Sequence, residues 1–390
     1  MLLIKKPYIK SIDNKSRIYC DIFVDSVLRS VWFEVDREYE KYLCIERSDA
    51  YLIGILNWAM REGQNIKCEV PVTEELLYNI NNYLIPSLAS YGKSLKAIKI
   101  ISDIAPTITE GIEVGTGLSC GIDSFSAIYS NLNTVYKEHN ITKLCINNVG
   151  AFNECYADYG EDKVREERYS VTEKVAQELN LSLIKTNSNF SQMFPQNHLL
   201  THSYSSCFAI YMLQKLWKVY YYASSGFDYS TFSVVDNDIK SADRYELLSL
   251  QCFSTSGLRI YNEGGAKTRL QKTKELLNYP LVQRYLHVCT TKPYNCSVCP
   301  KCKRTMLTME ALGALADFRT VFDVDYFYSH KREYFIWLYN QHVAGDLMNE
   351  PVYLEFVKRE DFNEIISEAF RKPPLIQRIK NRIKKVVLHN

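Results

Sequence analysis

Two stretches of this chain combine residue types and spacings that can do chemistry. The first is Gly115-Thr116-Gly117-Leu118-Ser119-Cys120-Gly121-Ile122-Asp123-Ser124-Phe125. Its small residues let backbone come close to an anion, and the hydroxyls of Ser119 and Ser124 can donate to phosphate oxygens. A helix opening at Asp123 or Ser124 adds unpaired N–H groups and a favourable dipole end, so the stretch reads as a phosphate-cradling loop. Asp123 can cap that helix or help hold Mg²⁺ beside phosphates. An ordinary strand-turn-helix connection uses the same Gly and Ser residues.

The second stretch is Cys289-x6-Cys296-x2-Cys299-x2-Cys302. Four thiolates at these spacings can converge on one tetrahedral ion, and Zn²⁺ takes that geometry without redox chemistry. The same ligands serve an iron–sulfur cluster, and a C-x2-C pair can do redox or persulfide work. A closed four-thiolate site leaves no open position for water, so its metal would be structural. A helix is expected directly after it, over Lys303–Leu315, with Arg304 either reaching substrate or pairing locally. The other eight cysteines are scattered and read as buried free thiols. Lys267, Arg269 and Lys272 can bring positive charge to phosphates, or simply form a solvated helix face.

These residues need a scaffold. From about residue 111, strand candidates Ile112–Leu118, Lys143–Val149, Leu181–Asn187, Val219–Ala223 and Leu258–Tyr261 alternate with helices near Ser124–Asn131, Asp162–Leu179 and His202–Trp217. That alternation predicts an α/β fold, a doubly wound, mostly parallel sheet with ligands at the carboxyl ends of its strands. Residues 1–105 read as an α+β accessory domain. It has strands at Arg17–Val24, Val31–Val35 and Ala97–Ile101, and helices near Ala50–Arg61 and Glu74–Ser90. A linker is expected at Pro106–Gly111, a binding domain over 111–315, a helical extension over 316–372 and a basic amphipathic tail over 373–390. The tail is either docked on its own domain or a contact for a membrane surface or partner.

Composition narrows the field. With 390 residues and 46% hydrophobic content, the chain can bury a large core. Its 47 basic and 45 acidic residues leave a net charge of +2, giving no strong nucleic-acid signal. No apolar run is long enough for a membrane span, and the amino terminus lacks a signal-peptide pattern, so a cytoplasmic location is expected.

The loop resembles the S-G-G-x-D-S loop of the PP-loop ATP pyrophosphatases (PP-loop/HUP-like fold). Ser119, Gly121, Asp123 and Ser124 match, and Cys120 replaces the first glycine, where a side chain would narrow the space over the phosphates. The loop together with the downstream knuckle and Arg304 looks like 7-cyano-7-deazaguanine synthase and its relatives, over about residues 111–315. The resemblance implies ATP held by Ser119, Cys120, Gly121, Ile122, Asp123 and Ser124, with Asn147 or Asn148 near the adenine. It further implies Ser224, in the turn Ser224-Ser225-Gly226, beside the nucleotide, with Asp123 and Lys272 as catalytic residues and Lys272 opening a helix. Where the synthase has a P-G-R-N loop, this chain reads PQNHLLTH over Pro195–His202, so His198 and His202 become candidate substrate contacts.

The activity so implied is adenylation of a carboxylate or amide oxygen of a small molecule or peptide with release of pyrophosphate. A nitrogen nucleophile then gives an amide or nitrile. Two other readings stand beside it: an RNA-modifying enzyme of the same class, including thiolation through Cys120 or the cluster, and an ATP-binding subunit without catalysis.

Overall fold

The computed structural model describes residues 1–91, 94–150, 160–224, 227–235 and 241–370. The basic tail over 373–390, Ser225-Gly226 and Cys155 lie outside the described residues. Among the described residues, thirteen strands run in chain order: β1 Leu2–Ile4, β2 Tyr8–Ile12, β3 Lys15–Val24, β4 Val27–Asp36, β5 Ile66–Cys68, β6 Val72–Thr73, β7 Ile100–Ile101, β8 Ile104–Ala105, β9 Glu113–Gly117, β10 Lys143–Asn148, β11 Ser182–Ser188, β12 Trp217–Ala223 and β13 Arg259–Glu263. Eleven form one sheet in the order β13-β12-β9-β10-β11-β4-β3-β1-β5-β7, with β2 on β3, while β6 and β8 pair separately.

The five strands from β9 to β13 are mutually parallel, so the protein is an α/β fold built on a mostly parallel central sheet. Strand order reverses at β9, which lies between β10 and β12. The crevice outside its carboxyl end is where such sheets bind ligands. Apolar side chains explain the layering. In β12, Val219 and Tyr221 join one buried cluster while Tyr220 and Tyr222 join the other, a period-two alternation that buries both faces.

The amino-terminal strands continue this sheet. β4 joins β11 antiparallel through Asn187↔Glu34 and Ser188↔Phe33. Asn189 closes the seam, accepting from Trp32 N–H at 2.7 Å and donating to the Ser30 carbonyl at 2.9 Å. One apolar cluster runs unbroken from Leu2 through the helix Asp49–Glu62 to Ile260. The other joins the helix Ile122–Asn131 to the aromatic carboxyl-terminal helices through Phe335, Phe356 and Phe362.

Local chemistry corrects several expected boundaries. The helix expected over His202–Trp217 spans His198–Met212, because the Asn197 side chain caps it and Trp217 already belongs to β12. The knuckle helix is Pro300–Ala311 rather than Lys303–Leu315, since Cys299 caps it and Pro300 takes the first turn without losing a needed N–H. Only Ile100–Ile101 of the strand expected at Ala97–Ile101 pairs. The stretch Glu74–Ser90 is broken by a π-type turn at Ile80–Leu84.

Gly115 fixes how closely β9 approaches β12: a Cβ there would lie 2.6 Å from the Trp217 ring. Gly115→Ala is expected to cost about 1–3 kcal/mol by overpacking. It should lower the urea midpoint at unchanged slope, and an unchanged midpoint would contradict this packing.

Candidate functional site

The loop leaves β9 at Leu118 and enters the helix Ile122–Asn131, so it sits in the switch-point crevice. The first helical hydrogen bond is Phe125 N–H to the Gly121 carbonyl, at 3.0 Å. The N–H groups of Ile122, Asp123 and Ser124 precede it and mark the electropositive end. Ser119 is exposed, and its Oγ lies 3.2 Å from that of Ser124, which also donates to the Gly121 carbonyl at 3.0 Å. The Ile122 side chain is buried in the apolar cluster, so only its backbone can face a ligand.

Cys120 has φ +60°, a left-handed conformation that costs an L-residue about 1–2 kcal/mol and that glycine adopts freely. The expected narrowing of the loop does not occur. The side chain is fully buried in the apolar cluster that holds Val114, Phe125 and Leu286. Burial pushes its thiol up to about 11, which disfavours the thiolate despite Arg168 nearby. The Cys120 carbonyl accepts from His287 N–H at 2.8 Å, and Arg168 donates to the Ser119 carbonyl at 2.7 Å. Arg168 is 4% exposed, and its sequence context, an ordinary charged helix, gave no sign of this pinning role.

Asp123 neither caps the helix, whose N-cap is Gly121, nor stands free. Its carboxylate pairs with Arg269 and, at 3.1 Å, with Lys272. Burial opposes its charge, but Arg269 and Lys272 outweigh burial and hold it below the usual carboxylate range. Lys272 does not open its helix. Thr268 and Gln271 form a capping box, the helix spans Arg269–Leu276, and Lys272 lies one turn in, fully buried. Its Nζ also donates to the Ser224 carbonyl at 3.0 Å, tying the end of β12 to the loop helix. Ser224 therefore positions Lys272 through its backbone, while its own hydroxyl donates to the Phe227 carbonyl at 3.2 Å. Lys267 lies outside this cluster, paired with Glu275 at 2.7 Å.

Arg304 completes the cationic side. It is buried, its Nε has no hydrogen-bond partner, and burial together with Arg269 pulls its guanidinium down to about 9 against Asp346 and Asp123. Asn147 Oδ1 accepts from Thr186 at 2.9 Å, so it is held within the sheet end. Asn148 is buried, donating to Glu161 at 2.9 Å and to Asn187 at 2.8 Å. Its Oδ1 has no partner. A cleft of about 500 Å³ opens beside these groups at the carboxyl end of β11, lined by Trp32, Glu161, Arg165, Asn187 and Gln192. His202 sits away from that cleft, against Asp243 and the Tyr222 hydroxyl.

Cys289, Cys296, Cys299 and Cys302 converge, all four Sγ atoms lying within 4.8 Å of one another, so the cluster could hold a metal ion. Backbone N–H groups turn toward sulfur, Cys299 to Cys296 at 3.3 Å and Cys302 to Cys299 at 3.5 Å. Asn295 braces the turn, accepting from Val288 N–H at 2.9 Å and donating to the carbonyls of Leu286 and Val321 at 2.8 and 3.0 Å. The Tyr334 hydroxyl donates to the Ser297 carbonyl at 2.6 Å, joining the knuckle to the carboxyl-terminal helices. Among the described residues, no helix is long and apolar enough to cross a membrane. No protein-family model, curated protein or solved structure matches the chain.

Two measurements check this geometry. Lys272→Met leaves Asp123 short of one buried partner and should cost about 3 kcal/mol in urea denaturation; a loss below 1 kcal/mol, roughly a surface effect, would contradict the burial. Stripping metal with a chelator should lower the melting temperature and red-shift the fluorescence of Trp337, which is partly buried in the helix Lys331–Val343 that Tyr334 ties to the knuckle. A melt indifferent to chelation would show that the cysteines hold nothing.

Proposed function

We propose that this chain binds ATP at Leu118–Phe125 and adenylates a carboxylate or amide oxygen of a small molecule or peptide, releasing pyrophosphate, in the manner of PP-loop enzymes resembling 7-cyano-7-deazaguanine synthase. The observation that carries this reading is Arg304, a buried arginine without a partner for Nε, placed with Arg269 and Lys272 around one carboxylate at the switch-point loop. Burying a guanidinium whose Nε has no acceptor is costly, and an anionic ligand would offset that cost.

On this reading the loop N–H groups and Ser119 hold phosphate oxygens, while Lys272, Arg269 and Arg304 neutralise the leaving pyrophosphate. The substrate oxygen attacks the α-phosphorus and the bond to pyrophosphate breaks; an adenylated carboxylate then loses AMP to a nitrogen nucleophile, giving an amide, whereas an adenylated amide loses AMP and its N–H proton, giving a nitrile. Mg²⁺ would be held chiefly by phosphate oxygens, because Asp123 is already engaged by two cations. The 500 Å³ cleft between Trp32 and Asn187 is the right size for a small acceptor. That would give the amino-terminal strands a part in specificity.

Zinc is the proposed occupant of the knuckle. A Zn–S bond of about 2.3 Å places tetrahedral sulfurs roughly 3.8 Å apart. Cys289 and Cys299 are separated by 3.9 Å, and Cys296 and Cys302 by 4.0 Å. Its part would be structural, holding the helix that carries Arg304 against the loop.

Incubated with Mg-ATP and a metabolite fraction, the protein should form AMP and pyrophosphate in equal amounts, with an adenylated species visible by mass spectrometry. Ser119→Ala and Arg304→Met should each slow this by about 100-fold. Formation of ADP and phosphate instead, or rates untouched by both substitutions, would overturn the reading.

A further inference from the structure

We infer that His202, Asp243 and Glu246 form a second metal site, separate from the cysteine knuckle, that takes one divalent first-row transition ion through an imidazole nitrogen and two carboxylates. The three residues come from different local elements: the helix His198–Met212, the turn Ala242–Arg244 and the first position of the helix Glu246–Phe253. Their ligand atoms all lie within 4.8 Å of one another.

Burial makes this more than an acidic cluster. His202 is 8% exposed and Glu246 2%, and the Asp243 side chain is 8% exposed. Two of the three ligands are also oriented from behind. The Tyr222 hydroxyl meets His202 Nδ1 at 2.7 Å, which fixes the ring and leaves Nε2 on the side of Asp243. Asn262 donates to Glu246 Oε1 at 3.0 Å, and Oε2 is buried with no hydrogen-bond partner. Metal-bound histidines and carboxylates are held by such outer contacts, and buried carboxylates without one are expensive unless they coordinate an ion.

Asp243, Glu246, Asn262 and Ser224, with Arg244 also on its wall, line a cavity of about 10 Å³. That is close to the room one water-sized body needs. Mixed imidazole and carboxylate ligands accept ions such as Mn²⁺, Fe²⁺ or Zn²⁺, whereas the four thiolates of the knuckle take Zn²⁺ and leave Mn²⁺ unbound. Ser224 connects the two centres, since its carbonyl accepts from Lys272 while its residue borders this cavity. The ion would therefore sit at the carboxyl ends of β12 and β13, one strand away from the loop.

Mn²⁺ is the probe, because it avoids thiolates. Titrated into the full-length, zinc-replete protein and followed by electron paramagnetic resonance, it should bind at one equivalent per chain. Pulsed spectra should show ¹⁴N coupling from a single imidazole, a readout that needs no variant. Glu246→Gln and His202→Gln should each weaken binding by at least about tenfold, the latter removing the ¹⁴N coupling, with Asn262→Ala weakening it less. Absence of Mn²⁺ uptake and of any Zn²⁺ beyond the cysteine equivalent would overturn the inference. Bound Mn²⁺ without ¹⁴N coupling would do so too.

Discussion

The contact on which the site depends is the buried ion pair between Asp123 and Lys272. Asp123 belongs to the helix that leaves β9, and Lys272 to the helix after β13, with Ser224 at the end of β12 taking another of its hydrogen bonds. One ammonium thus fastens three chain segments around the point where strand order reverses. Its attraction to Asp123 is strengthened by burial and would be weak on an exposed surface. Arg269 shares the carboxylate, and the capping box at Thr268 sets the helix register that brings both cations to the same acid.

Packing supplies the rigidity that this clamp needs. The sheet separates two apolar clusters, and each fuses the crevice to a different end of the chain. On one face, the amino-terminal strands and the helix Asp49–Glu62 share a core with the helix His198–Met212. On the other, the loop helix shares its core with the aromatic carboxyl-terminal helices. The cysteine knuckle lies in this second layer and delivers Arg304 from the first turns of its helix. The loop strain at Cys120 is borne by the same layer, because the thiol is packed in apolar surroundings.

Much of this was legible in the sequence, for identifiable reasons. Alternating apolar runs placed β9 to β13 within a few residues, and the cysteine spacing located a cluster that the fold does bring together. The partner of Asp123 was not legible, since ion pairs spanning 146 and 149 residues leave no local pattern. Arg168 looked like any helical arginine, and its bond to the Ser119 carbonyl depends on how helix and loop pack. The direction of the Cys120 side chain follows from a positive φ that no neighbouring residue announces. His202 was singled out for a different role, and its actual partners, Asp243 and Glu246, lie some forty residues on. The very short strands β5 to β8 carry too few residues for a periodic signal.

The most direct test of the central claim is equilibrium titration of the full-length protein with Mg-ATP, alongside Arg269→Met and Arg304→Met variants confirmed as folded. The account predicts one saturable site, weakened by about 1.4 kcal/mol or more, a factor of ten, in each variant. Absence of saturable binding, or equal affinity in all three proteins, would contradict it.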